Sequence, residues 1–136
     1  MLKITKKVEY ALISLVHLSE QEVGNNLSAK KIAHEYGIPT EILAKILQNL
    51  SSLGMIKSIQ GPKGGYQICC NINKINIFEF IELIEGPIGI VDCTLASGCA
   101  NESCCTIKDP MAKINDKIID TLKDITLDQL RRGQIK

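Results

Sequence analysis

The sequence predicts a mainly α fold, a winged helix-turn-helix with a two-stranded wing followed by a long C-terminal helix suited to dimerisation. Three observations predict it. Two amphipathic segments meet across a short turn holding Gly37, an alternating hairpin pattern follows directly, and an apolar stripe recurs near the C-terminus. The winged unit is expected over residues 1–75. Residues 76–136 are expected to carry a cysteine loop (86–108) and the dimerisation helix (109–125).

Taken in order, Val8, Ala11, Leu12, Leu15 and Leu18 recur at three- and four-residue steps and predict an amphipathic helix over Thr5–Ser19. After the Asn25-Asn26 loop, Ser28 is a candidate N-cap for a short helix that turns Ala29, Ile32 and Ala33 inward and stops at Gly37. Pro39 precedes a third helix beginning near Thr40, with Leu43, Ile46, Leu47, Leu50 and Leu53 as its apolar stripe and Gly54 as its stop. Met55–Gln60 alternates like a strand, GPKGG supplies a turn, and Tyr66–Cys70 returns as a second strand. That hairpin separates a winged helix from an ordinary helical hairpin.

On the third helix the polar side holds Glu41, Lys45, Gln48 and Ser52, flanked by Ala44 and Asn49, a face of the size and chemistry that enters a major groove. No Arg occurs before Arg131, so guanine reading by Arg is excluded from this half. Gln48 and Asn49 can read adenine, and Lys45 can reach guanine or phosphate. Lys63, among the open amides of the wing turn, suits a phosphate or minor-groove contact. The candidate DNA-contacting set is Ser28, Thr40, Glu41, Lys45, Gln48, Asn49, Gln60, Lys63 and Gly64.

Further on, Asn76–Glu85 predicts a short helix with Ile77, Phe80, Ile81 and Ile84 on one side, broken by Gly86-Pro87. Asp109 is the expected cap, and Pro110 the first turn, of a long helix carrying Met111, Ile114, Ile118, Leu122 and Ile125. Its other face is Lys113, Lys117, Asp120, Lys123 and Asp124, and a short turn over Leu127–Arg132 closes the chain. An apolar stripe placed after a domain that is already closed calls for a partner surface. A second copy is preferred, because winged-helix proteins that read half-sites usually dimerise.

Between these helices lies DCTLASGCANESCCTIK, Asp92–Lys108. Cys93, Cys99 and Cys105 are spaced with five residues between each, and Cys104 directly precedes the last. Long loops without their own structure are uncommon in compact domains and are usually functional or disordered. With four thiols this one reads as a metal or redox site. Cys69 and Cys70, on the second wing strand with one expected inward and one outward, read as structural, and so do His17 and His34.

The composition limits the function classes. With 45% hydrophobic residues, 4% aromatic and no Trp, the core must be aliphatic. No run of about 18 apolar residues exists to span a membrane, and Glu9 interrupts an N-terminus that lacks a small-residue cleavage site. A cytoplasmic chain is therefore expected, and its six cysteines are expected to be reduced. The net charge of +1 conceals an asymmetry: residues 1–70 carry eight Lys against five Glu, while residues 71–136 carry eight Lys and Arg against ten Asp and Glu. Enzymatic readings find no support, since neither His sits in a catalytic motif and GPKGG lacks the Lys-Ser/Thr ending of a phosphate-binding loop.

Together, the winged helix, the wing string GPKGGY (Gly61–Tyr66), a helix ending EGP, the three-cysteine loop and a last stretch DITLDQL resemble the IscR/NsrR-type iron–sulfur transcription regulators of bacteria. The resemblance spans essentially the whole chain. The runs EGPIGIVDC and KINDKIIDTLKDITL look most like the branch regulating SUF-type iron–sulfur assembly operons. It implies a homodimeric repressor on a palindromic operator, with a 2Fe-2S or 4Fe-4S cluster on Cys93, Cys99 and Cys105. In the IscR branch a histidine three residues after the last cysteine is the fourth ligand, and here that position is Lys108. In the NsrR branch an acidic residue in the first helix of the other subunit serves instead, and the matching position is Glu9. Two rivals stand beside the cluster: zinc with Cys104 as a fourth thiolate, and a metal-free thiol switch.

Overall fold

The computed structural model describes residues 3–91, 101 and 103–135. They divide into two compact units, Lys3–Ile72 and Asn73–Lys136. In the first unit α1 (Lys6–Ser19), α2 (Ala29–Tyr36) and α3 (Thr40–Ser52) precede β1 (Ile56–Ile59) and β2 (Gly65–Ile68). The second contains α4 (Ile77–Glu85), α5 (Lys108–Lys123) and α6 (Leu127–Arg132).

The first unit is built around an aliphatic core. Val8, Ala11, Leu15 and Leu18 of α1 meet Ile32 and Ala33 of α2 and Leu43, Ile46, Leu47 and Leu50 of α3, all buried. At roughly 1.5–3 kcal/mol for each large aliphatic side chain removed from water, this burial is the main force holding the three helices. Thr5 Oγ1 accepts from the Val8 amide and Ser28 Oγ from the Lys31 amide, so α1 and α2 each begin on a side-chain cap. Gly37 closes α2 in the left-handed region (φ 63°), where its lack of a Cβ removes the penalty. The turn to α3 is Gly37–Pro39, with Ile38 buried beneath it.

Leu53 departs from expectation. It lies past the helix end and is 37% exposed, because α3 stops at Ser52 and Gly54 turns the chain (φ 76°) before Leu53 can join the stripe.

The wing is an antiparallel pair with Ile56 opposite Ile68 and Ile59 opposite Gly65. Cys69 and Cys70 fall just beyond β2 rather than on it. One ladder-like bond persists, from the Cys69 amide to the Met55 carbonyl (3.0 Å), before the chain turns away. A contact that no periodicity announces lies on the other side of β2. The Leu27 amide donates to Tyr66 O (3.1 Å) and the Tyr66 amide to Leu27 O (2.8 Å), tying the residue before the α2 cap to the wing. Asn26 adds Nδ2 to the Lys63 carbonyl (2.8 Å), and Gln67 donates to Asn26 Oδ1.

In the second unit α4 opens with a full capping box between Asn76 and Glu79 and buries Ile77, Phe80, Ile81 and Ile84. Amides of Ile77 and Leu127 donate to Ile125 O and Ile75 O (both 2.9 Å), so the entries to α4 and α6 are stitched together. At the chain's end Arg131 and Arg132 converge on Asp128 at 2.6 and 2.8 Å, and the hydrogen bond from Arg131 leads in holding that carboxyl below its usual range.

Helix α5 begins at Lys108, earlier than the expected Asp109, with Ile107 as a cap that has no side-chain bond. Asp109 and Pro110 then fall in the first turn, where a carboxylate suits the helix dipole and a missing N–H leaves no intrahelical bond unmade. Ile125 lies past the helix end. The apolar stripe is left largely open: Ile107 is 60% and Ile114 47% exposed, and Met111, Ile118 and Leu122 are half-buried. The residue that α5 does bury is Asn115.

Candidate functional site

Two sets of residues follow from this frame. The first is the outer face of α3 with the wing. Because α3 spends Leu43, Ile46, Leu47 and Leu50 on the core, its helical period turns Glu41, Lys45, Gln48 and Ser52 outward, all exposed, with Ala44 and Asn49 half-buried at the edge. Thr40 and Ser28 are exposed at the two helix starts, and the Ser28 hydroxyl already caps α2. Ile42, 48% exposed, sits beside this face and was not among the expected residues. Its signal was an apolar residue off the core stripe.

In the wing, Gln60 and Lys63 are exposed, and Gly64 is half-buried with its amide donating to Gly61 O (2.9 Å). A Cβ at Gly64 would run into the Ile59 carbonyl, so the turn closes at that position on glycine. Lys63 is thus displayed from a tip whose backbone is fixed by Asn26. The sequence pairs this geometry with an excess of Lys over Glu in residues 1–70. An exposed, net-positive polar face beside a fixed wing can neutralise phosphates while presenting amide and ammonium groups to base edges.

His17 proves to be structural. Its Nδ1 lies 2.9 Å from the Tyr36 hydroxyl and its Nε2 3.3 Å from Glu35, joining α1 to α2 behind the helix-turn-helix. His34 is exposed.

The second set is the cysteines with Glu9. Cys93 and Cys99 lie outside the described residues. Cys105 is a half-buried free thiol, and Cys104 an exposed one whose Sγ donates to Asn101 O (3.6 Å). Among the described residues no three His, Cys, Asp or Glu come together in a way that could hold a metal. Glu9 projects from the first turn of α1 and accepts from Lys6 Nζ at 2.9 Å, with both side chains largely in solvent. Such a pair contributes about 0–1 kcal/mol and is readily exchanged for a stronger partner. As a donor set, three thiols and an accessible carboxylate match the soft-ligand demand of an iron–sulfur cluster with one weaker ligand.

Cys70 behaves differently. Burial pushes its thiol up to about 11, because desolvation disfavours the thiolate. At pH 7.5 the thiolate is therefore scarce, and Cys70 is expected to be alkylated by iodoacetamide far more slowly than Cys104. Mass spectrometry of timed digests checks this, and equal labelling would contradict it.

An outward polar face on the second helix of a helix-turn-helix, with a β wing tied beside it, defines a DNA-binding transcription regulator of the winged-helix class. Residues 4–133 match the family model Rrf2, described as an iron-dependent transcriptional regulator. The chain belongs to the Rrf2 family. It is 31% identical to the HTH-type transcriptional regulator NsrR of Bacillus subtilis, over 78% of this chain and 70% of that one. It is 25% identical to the regulator IscR of Pectobacterium carotovorum, over 95% and 79%. The solved structure of CymR, the global cysteine regulator of B. subtilis, superposes with a TM-score of 0.78 at 26% identity, covering 98% of both chains. These relatives are named as regulators rather than enzymes. Among the described residues no helix is long and apolar enough to cross a membrane.

Proposed function

We propose that the chain is a cytoplasmic, homodimeric repressor whose affinity for a palindromic operator is set by an iron–sulfur cluster, and that it regulates iron–sulfur assembly genes. The observation that carries this is the run Cys93, Cys99, Cys105, equally spaced, in a chain of a family described as iron-dependent. Those three thiolates are the ligands. With Lys108 where a histidine would serve, Glu9 of the partner subunit supplies the fourth, giving up its bond to Lys6. A bound cluster supplies a link that oxidants or loss of iron can break.

The chain's own residues do the rest. Lys45, Gln48 and Asn49 read bases from α3, Thr40, Glu41 and Ser28 set its register, and Gln60, Lys63 and Gly64 follow the backbone. Holding Glu9 to the other subunit's loop fixes the spacing of the two α3 helices. A cluster held by these residues would supply control through differential affinity for two dimer geometries.

The test is purification without oxygen, followed by an absorption spectrum and counts of iron and sulfide. Wild type is expected to carry both in stoichiometric amount, and Cys93→Ala, Cys99→Ala and Cys105→Ala each to lose them. Variants that still load fully would sink the assignment. Glu9→Ala is expected to load but to lose its cluster at least several-fold faster under a chelator, and an unchanged lifetime removes Glu9 as ligand. The likeness to Staphylococcus aureus CymR, whose structure is also known in an oxidized form, favours a second reading, control by thiol oxidation on the same cysteines, with zinc there as the other alternative. Wild-type protein holding zinc alone, or no metal while its DNA affinity responds to oxidants, would select it.

A further inference from the structure

We infer that Asn115 is a positioning residue for the cysteine loop, fastening the backbone that leads into Cys93 to the helix that follows Cys105. This deepens the cluster reading and rests on it. Asn115 is the residue that α5 buries, at 7% exposure, while Met111, Ile118 and Leu122 on the same side of the helix are half-buried. Asparagine is disfavoured in a helix interior because its amide competes for the backbone. A buried one therefore needs a partner that repays its desolvation.

That partner is the Ile90 amide, which donates to Asn115 Oδ1 at 3.1 Å. Past the α4 cap, Ile88–Ile90 lies in no helix or strand, so the bond gives the Ile90 amide what secondary structure would otherwise give. Ile90 is three residues ahead of Cys93, and Lys108, the start of α5, is three residues past Cys105. Both flanks of the cysteine run are thus tied to one helix, at points seven residues apart along it. At about 1.5 Å per residue that is roughly 10 Å. Holding the two approaches at a set separation lowers the entropy that Cys93 and Cys105 lose in meeting one cluster.

Asn115→Leu removes the acceptor while keeping the side chain's branched shape, and Asn115→Asp restores one. In metal-free protein, amide exchange of a peptide spanning Gly86–Val91 is expected to quicken about tenfold in Asn115→Leu, the effect of one ordinary hydrogen bond, and to return toward wild type in Asn115→Asp. In protein loaded without oxygen, cluster loss to a chelator is expected to follow the same order, again by about tenfold. A loading wild type whose Asn115→Leu variant keeps the wild-type rate of cluster loss overturns the role of Asn115 alone. So does an Asn115→Asp variant as fast as Asn115→Leu. A wild type that holds neither iron nor sulfide overturns the cluster reading, and the role of Asn115 with it.

Discussion

Ile114→Glu is expected to turn a dimer into monomers and to lower affinity for a two-half-site operator by about 10²–10⁴-fold, the range over which linked binding exceeds single-site binding. Ile114 stands 47% exposed on α5, about two turns on from Ile107, the N-cap residue, at 60%. Large side chains of this kind, open together on one long helix, favour a second copy of the same helix. A glutamate there would have to be buried uncompensated in that pairing, which disfavours it strongly. Sedimentation equilibrium and a band shift on whole and half operators measure the two effects. Binding to a single half-site should barely change, since Ile114 is outside the unit that carries α3. An Ile114→Glu protein that remains dimeric with full affinity would show that α5 is not the dimer surface.

The second large effect is expected at Gly65. Its φ is +154°, and a Cβ there would lie 2.6 Å from the carbonyl carbon and oxygen of Leu27. Backbone, not a mobile side chain, blocks the space, so Gly65→Val must break the Leu27–Tyr66 pairing to fit. With backbone strain and overpacking each contributing about 1–3 kcal/mol, destabilisation on the order of 3 kcal/mol follows. For a unit this small that lowers Tm by roughly 10 °C or more. DNA binding should fall even well below the new Tm, because the wing tip bearing Lys63 loses its support. Gly37→Asn is the control, since asparagine tolerates the left-handed region and nothing lies within 4 Å of a Cβ there. If Gly65→Val melts and binds like wild type, the wing is not held as described.

Much of this architecture was legible because it rests on local chemistry. Three- and four-residue apolar spacing placed α1, α3 and α4, and the pairing of Ser28 with Gly37 bounded α2 to the residue. The face carrying Lys45 and Gln48 followed from the core stripe by geometry. What escaped notice was non-local. The Leu27–Tyr66 bridge joins single residues far apart in sequence, and one residue has no period. Leu53 failed because Gly54 ends the helix too early, a boundary that hydrophobicity does not report.

Asn115 leaves a trace in the sequence: it stands four residues after Met111 and three before Ile118, an inward position held by a polar residue, while apolar Ile114 beside it faces out. The cysteine run and Glu9 stand out as chemistry and by resemblance, and the site proposed for them would draw on two chains, which no single-chain pattern encodes.

The bonds joining Leu27 to Tyr66 and Asn26 to Lys63 have a mechanical consequence. They cross from the entry of the helix-turn-helix to both β2 and the tip of the wing, bracing one against the other. The helix-turn-helix and its wing are therefore expected to shift together more readily than the wing bends alone. In the proposed dimer, the adjustable coordinate would be the interval between its two heads. In the proposed regulator, a ligand would then act by setting that interval to the pitch of the operator or away from it.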